Sequence, residues 1–335
     1  MKQEDYRKIE QLLEQPKAIL ISTHRSPDGD AVGSSLGLAG VLAQFGHEVN
    51  VVVPDDYPHF LKWLKGTERI QVFEQDAKKA RQLAENAEVI FSLDYNALHR
   101  IGDFGEAIAQ ANAVKIMIDH HQQPDDFPDY MLSDIEASST AELIYVFLQN
   151  LGWTSKVNKS IAEALYTGIV TDTGSFRFNS TSAHTHRITA ELMDAGLQVD
   201  EVYNRIFDTN RLERLRLMGY TLSEKLKVIP GKPVAYISLS NEELDRFNFE
   251  RGDTEGLVNY GLSIEGIKFA AFFRESNESD YIRISLRSKE DVNVNEFARA
   301  HFNGGGHVNA AGGRSDLSLK QTIEKFETIV TNTDF

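Results

Sequence analysis

Apolar and polar positions fall into blocks along the first half of the chain. Four short apolar runs, AILIST (18–23), EVNVVV (48–53), EVIFSLD (88–94) and AVKIMID (113–119), have the length and β-branched content of buried strands. Between them, residues 32–45, 76–86 and, more weakly, 103–111 repeat their apolar positions with a helical period. Strand and helix taking turns predicts a parallel sheet covered by helices on both faces. Helical patterns continue through 140–151, 159–172 and 183–195, and a long polar helical stretch from 199 to about 227 reads as a connector. Beyond Pro230-Gly231 the pattern changes. VAYISLS (234–240), IKFAAFF (267–273) and YIRISLR (281–287) read as strands, with helices near 294–301 and 319–330. This predicts a second, smaller α/β domain of about a hundred residues, a usual domain size.

Composition agrees with two domains. The chain has 335 residues, more than one core usually supports, and its 41% apolar content suffices to build cores. It has no cysteine, which excludes disulfides and thiolate metal ligands and is compatible with a reducing, cytoplasmic setting. The first residues, MKQEDYRKIEQLLEQPK, are charged and amphipathic without a signal-peptide core, and no apolar run approaches a membrane span. Fifty acids against 35 bases give a net charge of −15, which argues against tracking long nucleic acid, duplex included. An anionic substrate would have to be small, or be met by local cations.

Candidate chemistry sits where the strands end. The first strand runs into His24-Arg25-Ser26-Pro27-Asp28-Gly29-Asp30, the third ends on Asp94, and the fourth on Asp119-His120-His121. A further acid, Asp172, closes a helical run before Gly174. Each piece alone has an ordinary reading: a turn with Asp30 capping the next helix, a solvated strand end, a histidine on a backbone carbonyl. Together they are less ordinary, because ligands of open parallel sheets bind beyond the carboxyl ends of the strands. His24, Asp28, Asp30, Asp94, His120 and Asp172 would then meet as two imidazoles and four carboxylates. Clustered carboxylates raise one another's pKa, and two divalent cations would remove that conflict. Oxygen and imidazole donors favour manganese or magnesium, with zinc less suited. Asp119, next to His120, is expected to fix the tautomer of that imidazole.

HRSPDGDA, the lone Asp94, IDHH and the segment around Asp172 resemble the four motifs of the DHH phosphoesterase superfamily. SLRS (285–288) and FNGGGHVNAAGG (302–313) look like its DHHA1 domain, and motif order and length resemble the nanoRNase/pAp-phosphatase subfamily. The resemblance implies a DHH catalytic domain over 1–188, a helical connector over 189–226 and a DHHA1 substrate-binding domain over 227–335. It implies that His24 and Asp28 hold one metal, that Asp30, His120 and Asp172 hold the other, and that Asp94 bridges both. His121 would face the substrate phosphate, and manganese is the metal it favours. The implied substrates are short RNA oligonucleotides, released as nucleoside 5′-monophosphates, and adenosine 3′,5′-bisphosphate, released as AMP and phosphate. A homodimer is compatible with it.

In the second domain, Tyr281, Arg283, Ser285 and Arg287 share one strand face. Taken alone, the arginines are an ordinary solvated face and Gly304-Gly305-Gly306 a tight loop. With the resemblance, Arg287, His307 and the Gly304–Gly306 backbone are expected to contact the nucleotide, with Arg283 and Ser139 as further candidates. Ser139 also reads as the cap of the following helix. Two alternatives remain at this stage: a hydrolase of linear dinucleotides from cyclic dinucleotide turnover, and a nucleotide sensor without catalysis. A sensor should have lost ligands, and none of the six positions is missing.

Overall fold

The computed structural model describes residues 1–276 and 280–333 and forms two compact units, Met1–Thr209 and Asn210–Phe335. The boundary falls inside the helical stretch expected to connect two domains. In the first unit, six strands lie in the order β3-β2-β1-β4-β5-β6. They are β1 (Ala18–Ser22), β2 (Glu48–Val53), β3 (Gln71–Val72), β4 (Val89–Leu93), β5 (Val114–Asp119) and β6 (Tyr130–Ser133). Every neighbouring pair is parallel. The short strands β3 and β6 are additions to the expected four.

Parallel strands must be covered on both sides, and successive side chains show how. Ile19, Ile21, Phe91 and Ile118 face a core built with α1 (Gln3–Leu12), α2 (Gly29–Gln44), α5 (Thr140–Asn150) and α6 (Lys159–Asp172). Leu20, Val52 and Ile90 face the opposite core, built with α3 (Ala77–Asn86) and α4 (Phe104–Gln110). The chain leaves β1 on one face and β4 on the other. The two adjacent strands therefore splay their following loops apart, which opens a crevice at the switch point. Helices α7 (Ala183–Asp194) and α8 (Val199–Tyr203) complete this unit.

Helices α2 and α6 cross closely because glycines line α2. A Cβ on Gly33 would come within 2.4 Å of the Ala164 carbonyl oxygen, and one on Gly37 within 2.4 Å of Leu165. This contact brings the first turn of α2 to the last turn of α6, and so Asp30 to Asp172. Gly33→Ala must push two backbones apart. We expect it to destabilise the first unit by about 1–3 kcal/mol and to weaken divalent-metal binding, as read by urea denaturation with and without metal.

The second unit holds α9 (Leu212–Tyr220), β7 (Lys227–Val228), β8 (Val234–Leu239), α10 (Asn241–Arg246), α11 (Leu257–Leu262), β9 (Phe269–Arg274), β10 (Ile282–Ser288), α12 (Val294–His301), β11 (Gly305–Gly306), β12 (Ala310–Ser315) and α13 (Leu319–Thr331). Its mixed sheet runs β11-β12-β10-β9-β8-β7. The predicted alternation of β10 holds: Ile282, Ile284 and Leu286 are buried against α12 and α13, while Arg283, Ser285 and Arg287 are half-buried on the other face. The Gly304–Gly306 run is more than a tight loop. Gly305 and Gly306 pair with Gly312 and Ala311 as an edge strand, and a Cβ on Gly304 would sit 2.0 Å from the Gly312 carbonyl oxygen. Strand β12 escapes prediction because AAGGRS reads as a loop.

Candidate metal centre

At the switch point the loop after β1 is held in one shape. Asp28 caps α2, accepting from the amides of Asp30 and Ala31, so it and not Asp30 is the N-cap. Ser26 is left-handed (φ 53°), and its amide donates to Asp55 Oδ1 at 2.6 Å from the end of the neighbouring strand β2. His24 points Nδ1 at its neighbour's carbonyl, 2.8 Å away, which turns Nε2 inward. That nitrogen lies 3.2 Å from Asp94 Oδ2 and 3.9 Å from Asp28 Oδ1.

The other donors come from β4, β5, α2 and α6. Asp94 follows β4 with a left-handed backbone (φ 62°), its amide tied to the Ile118 carbonyl and its Oδ1 accepting from Thr140 Oγ1 at 3.0 Å. Asp30, 1% exposed, accepts from the first amides of α5, Thr140 at 2.6 Å and Ala141 at 2.8 Å. Those amides have no intrahelical partner and carry the positive end of the helix dipole. His120 places Nδ1 3.2 Å from the Ala137 carbonyl. Its Nε2 then lies 3.3 Å from Asp172, 3.6 Å from Asp94 and 3.8 Å from Asp30. Both imidazoles thus present one nitrogen to carboxylates while a carbonyl faces the other, the arrangement of metal-ligating histidine.

The six predicted positions therefore meet. They form two sets, His24–Asp28–Asp94 and Asp30–His120–Asp172, with donor atoms in each set within 4.8 Å of one another. Asp94 turns Oδ2 to His24 and Oδ1 to His120, so it stands between the sets. Burial, then the neighbouring carboxylates Asp94, Asp172 and Asp28, holds Asp30 well above the ordinary carboxylate range. Burial, then Asp28, Asp172 and Asp119, does the same for Asp94. Burial lowers His120, favouring the neutral imidazole that a metal needs. A largely buried cluster of four carboxylates with two imidazoles fits two divalent cations bound by nitrogen and oxygen.

One expectation needs correction. Asp119 does not steer His120. Its Oδ1 faces His121 Nδ1 at 2.7 Å and its Oδ2 accepts the His121 amide at 2.9 Å, a short-range turn that reaches two residues on. His121 in turn faces Arg100, whose Nη2 lies 3.3 Å from its Nε2. Ser139 takes its capping role, accepting from the Glu142 amide. Sequence patterning assigns Arg100 and Asp55 no role, and Thr140 enters only as part of the Ser138-Ser139-Thr140 capping segment.

In the second unit, register pairs Arg287 with Ala310 and Gly306 with Ala311, and the His307 amide donates to the Ala310 carbonyl at 2.7 Å. Arg287, Gly306 and His307 thus gather at one end of that sheet, while Arg283 pairs with Arg314 further along. Arg287 Nη1 donates to its own strand, at the Leu286 carbonyl.

Comparison with known proteins agrees with this geometry. Residues 18–169 match the DHH family, N-terminal domain, and residues 231–332 the DHHA1 domain. The chain is 32% identical to the bifunctional oligoribonuclease and PAP phosphatase NrnA of Bacillus subtilis, over 88% of each chain. It is 31% identical to the NrnA of Thermus thermophilus, over 92% of this chain and 87% of that one. A crystal structure of an exopolyphosphatase-related protein from Bacteroides fragilis superposes with a TM-score of 0.92 at 40% identity, covering 99% of this chain and 96% of that one. Exonuclease RecJ bound to manganese shares the fold at 13% identity and a TM-score of 0.54.

Proposed function

We infer the activity from one premise: this chain belongs to the NrnA-like branch of the DHH phosphoesterases, a DHH domain followed by a DHHA1 domain. On that premise it hydrolyses short RNA oligonucleotides to nucleoside 5′-monophosphates, and adenosine 3′,5′-bisphosphate to AMP and phosphate. The observation that carries the reading is the pair of donor sets sharing Asp94 at the switch point. His24, Asp28 and Asp94 would hold one divalent cation, and Asp30, His120 and Asp172, with Asp94, the other. Manganese is the metal we propose. Bound there, the cations supply a more acidic water and neutralise phosphoryl oxygens.

The chain's own residues do the rest. Asp119 holds the Nδ1 edge of His121, which would leave the Nε2 edge for the phosphoryl group. Arg287, His307 and the Gly304–Gly306 backbone would contact the nucleotide, with Arg283 a further candidate along the same strand face. A short anionic substrate suits a protein with net charge −15 better than a long polyanion does. No helix among the described residues is long and apolar enough to cross a membrane, and we place the enzyme in the cytoplasm.

The test is a panel of labelled substrates with manganese, its products identified by mass. Mononucleotides from dinucleotides and five-mers, slower release from twenty-mers, and AMP from adenosine 3′,5′-bisphosphate are expected. Phosphate released from polyphosphate alone would replace this reading with an exopolyphosphatase. Tight nucleotide binding without product would make the protein a sensor.

A further inference from the structure

Arg100 lies at the mouth of the donor cluster, in the turn that follows β4, and sequence patterning gave it no role. Its main chain is fixed. The Arg100 amide donates to the Ala97 carbonyl at 3.1 Å, and its carbonyl accepts the Arg25 amide at 3.0 Å, which ties the β4 loop to the β1 loop. Its guanidinium carries five N–H donors. Among the described residues it makes one side-chain hydrogen bond, Nη2 to His121 Nε2 at 3.3 Å. A neutral nitrogen at that distance is a weak partner for a cation that pairs best, and in forked geometry, with carboxylate or phosphate oxygens. Its charge favours the ionised forms of Asp94 and Asp119 from a distance, but it forms an ion pair with neither: Thr140 and His121 take their near oxygens.

We propose that Arg100 binds a non-bridging oxygen of the scissile phosphoryl group, and that its contact with His121 is where the side chain waits before substrate arrives. The proposal rests on the phosphoesterase reading above and adds to it a residue of the phosphoryl-binding surface. Without substrate, the Arg100 donor makes Nε2 of His121 an acceptor and leaves Nδ1 to face Asp119. When a phosphoryl oxygen enters, the guanidinium moves to it, and the Nε2 edge of His121 is released toward the same group. Arg100 thereby adds a local cation to the divalent ones proposed for the donor sets, which suits an anionic substrate on so acidic a protein.

The experiment compares Arg100→Gln and Arg100→Lys with the wild-type protein, all loaded with manganese. Calorimetry with AMP should show affinity falling about ten- to a hundredfold in Arg100→Gln and less in Arg100→Lys, with no loss of manganese affinity or of melting temperature. Dinucleotides carrying sulfur at one or the other non-bridging oxygen supply the second reading. Wild-type rates should differ between the two diastereomers, and Arg100→Gln should shrink that difference. Unchanged AMP affinity, or equal slowing of both diastereomers, would show that Arg100 only braces the loop. If the wild-type protein hydrolyses nothing, the phosphoesterase reading fails, and the AMP measurement still decides whether Arg100 binds phosphate.

Discussion

Replacing Asp94 with asparagine is expected to lower manganese-dependent hydrolysis by at least roughly a thousandfold. Altering a residue that only supports metal ligands costs about 10–100-fold, and Asp94 faces both donor sets through its two oxygens. An amide of the same shape keeps an oxygen for the Thr140 hydroxyl, so the fold should survive. Asp94 is 2% exposed, and burial together with neighbouring carboxylates disfavours its charge. Neutral asparagine removes that conflict. The metal-free variant should therefore melt no lower than metal-free wild type, while the rise in melting temperature on adding manganese shrinks. Calorimetric melting with and without manganese, beside product assays, checks both halves. A variant that hydrolyses at wild-type rates overturns the shared-ligand assignment.

Stripping the metal should abolish hydrolysis and reverse the pH dependence of stability. In the metal-free protein, burial and neighbouring carboxylates raise Asp30 and Asp94. For such groups the folded state holds protons more tightly than the unfolded chain. Their contribution is full below the ordinary carboxylate range and is lost as pH rises through the raised folded values. His120 works the other way, because burial lowers it: its contribution is lost as pH falls from its ordinary value of 6.5 through the lowered one. Where Asp30 and Asp94 lose their protons in the folded state, their share of the metal-free protein's stability falls as pH rises. The loaded protein should gain over the same range, because ligands must shed protons to bind metal. Melting curves taken upward from the ordinary carboxylate range, with chelator and with manganese, test this. Parallel slopes would count against the site.

The central strands of the first unit were legible because strands buried on both faces must be apolar throughout, and AILIS, VIFSL and VKIMID are. Their ends were legible for the converse reason: His24, Asp94 and His120 interrupt runs that solvation alone does not explain. β6 and β12 were not, since YMLS is too short to show a period and AAGGRS carries two glycines. The site was readable as far as donor identity. Its wiring was not. Whether Asp119 bonds the first or the second following histidine depends on a turn of two residues, and Arg100, Thr140 and Asp55 act through contacts that no periodicity encodes.

The donors lie far apart along the chain, from His24 to Asp172, and Asp30 needs the amides of Thr140 and Ala141. That spacing has a consequence for synthesis. A nascent chain cannot complete the second donor set until Asp172 has left the ribosome, after more than half of the 335 residues have been joined. Until then the growing polypeptide beside a messenger RNA lacks a finished cutting centre. A product truncated before Asp172 should therefore be inert toward RNA, however well its sheet has formed.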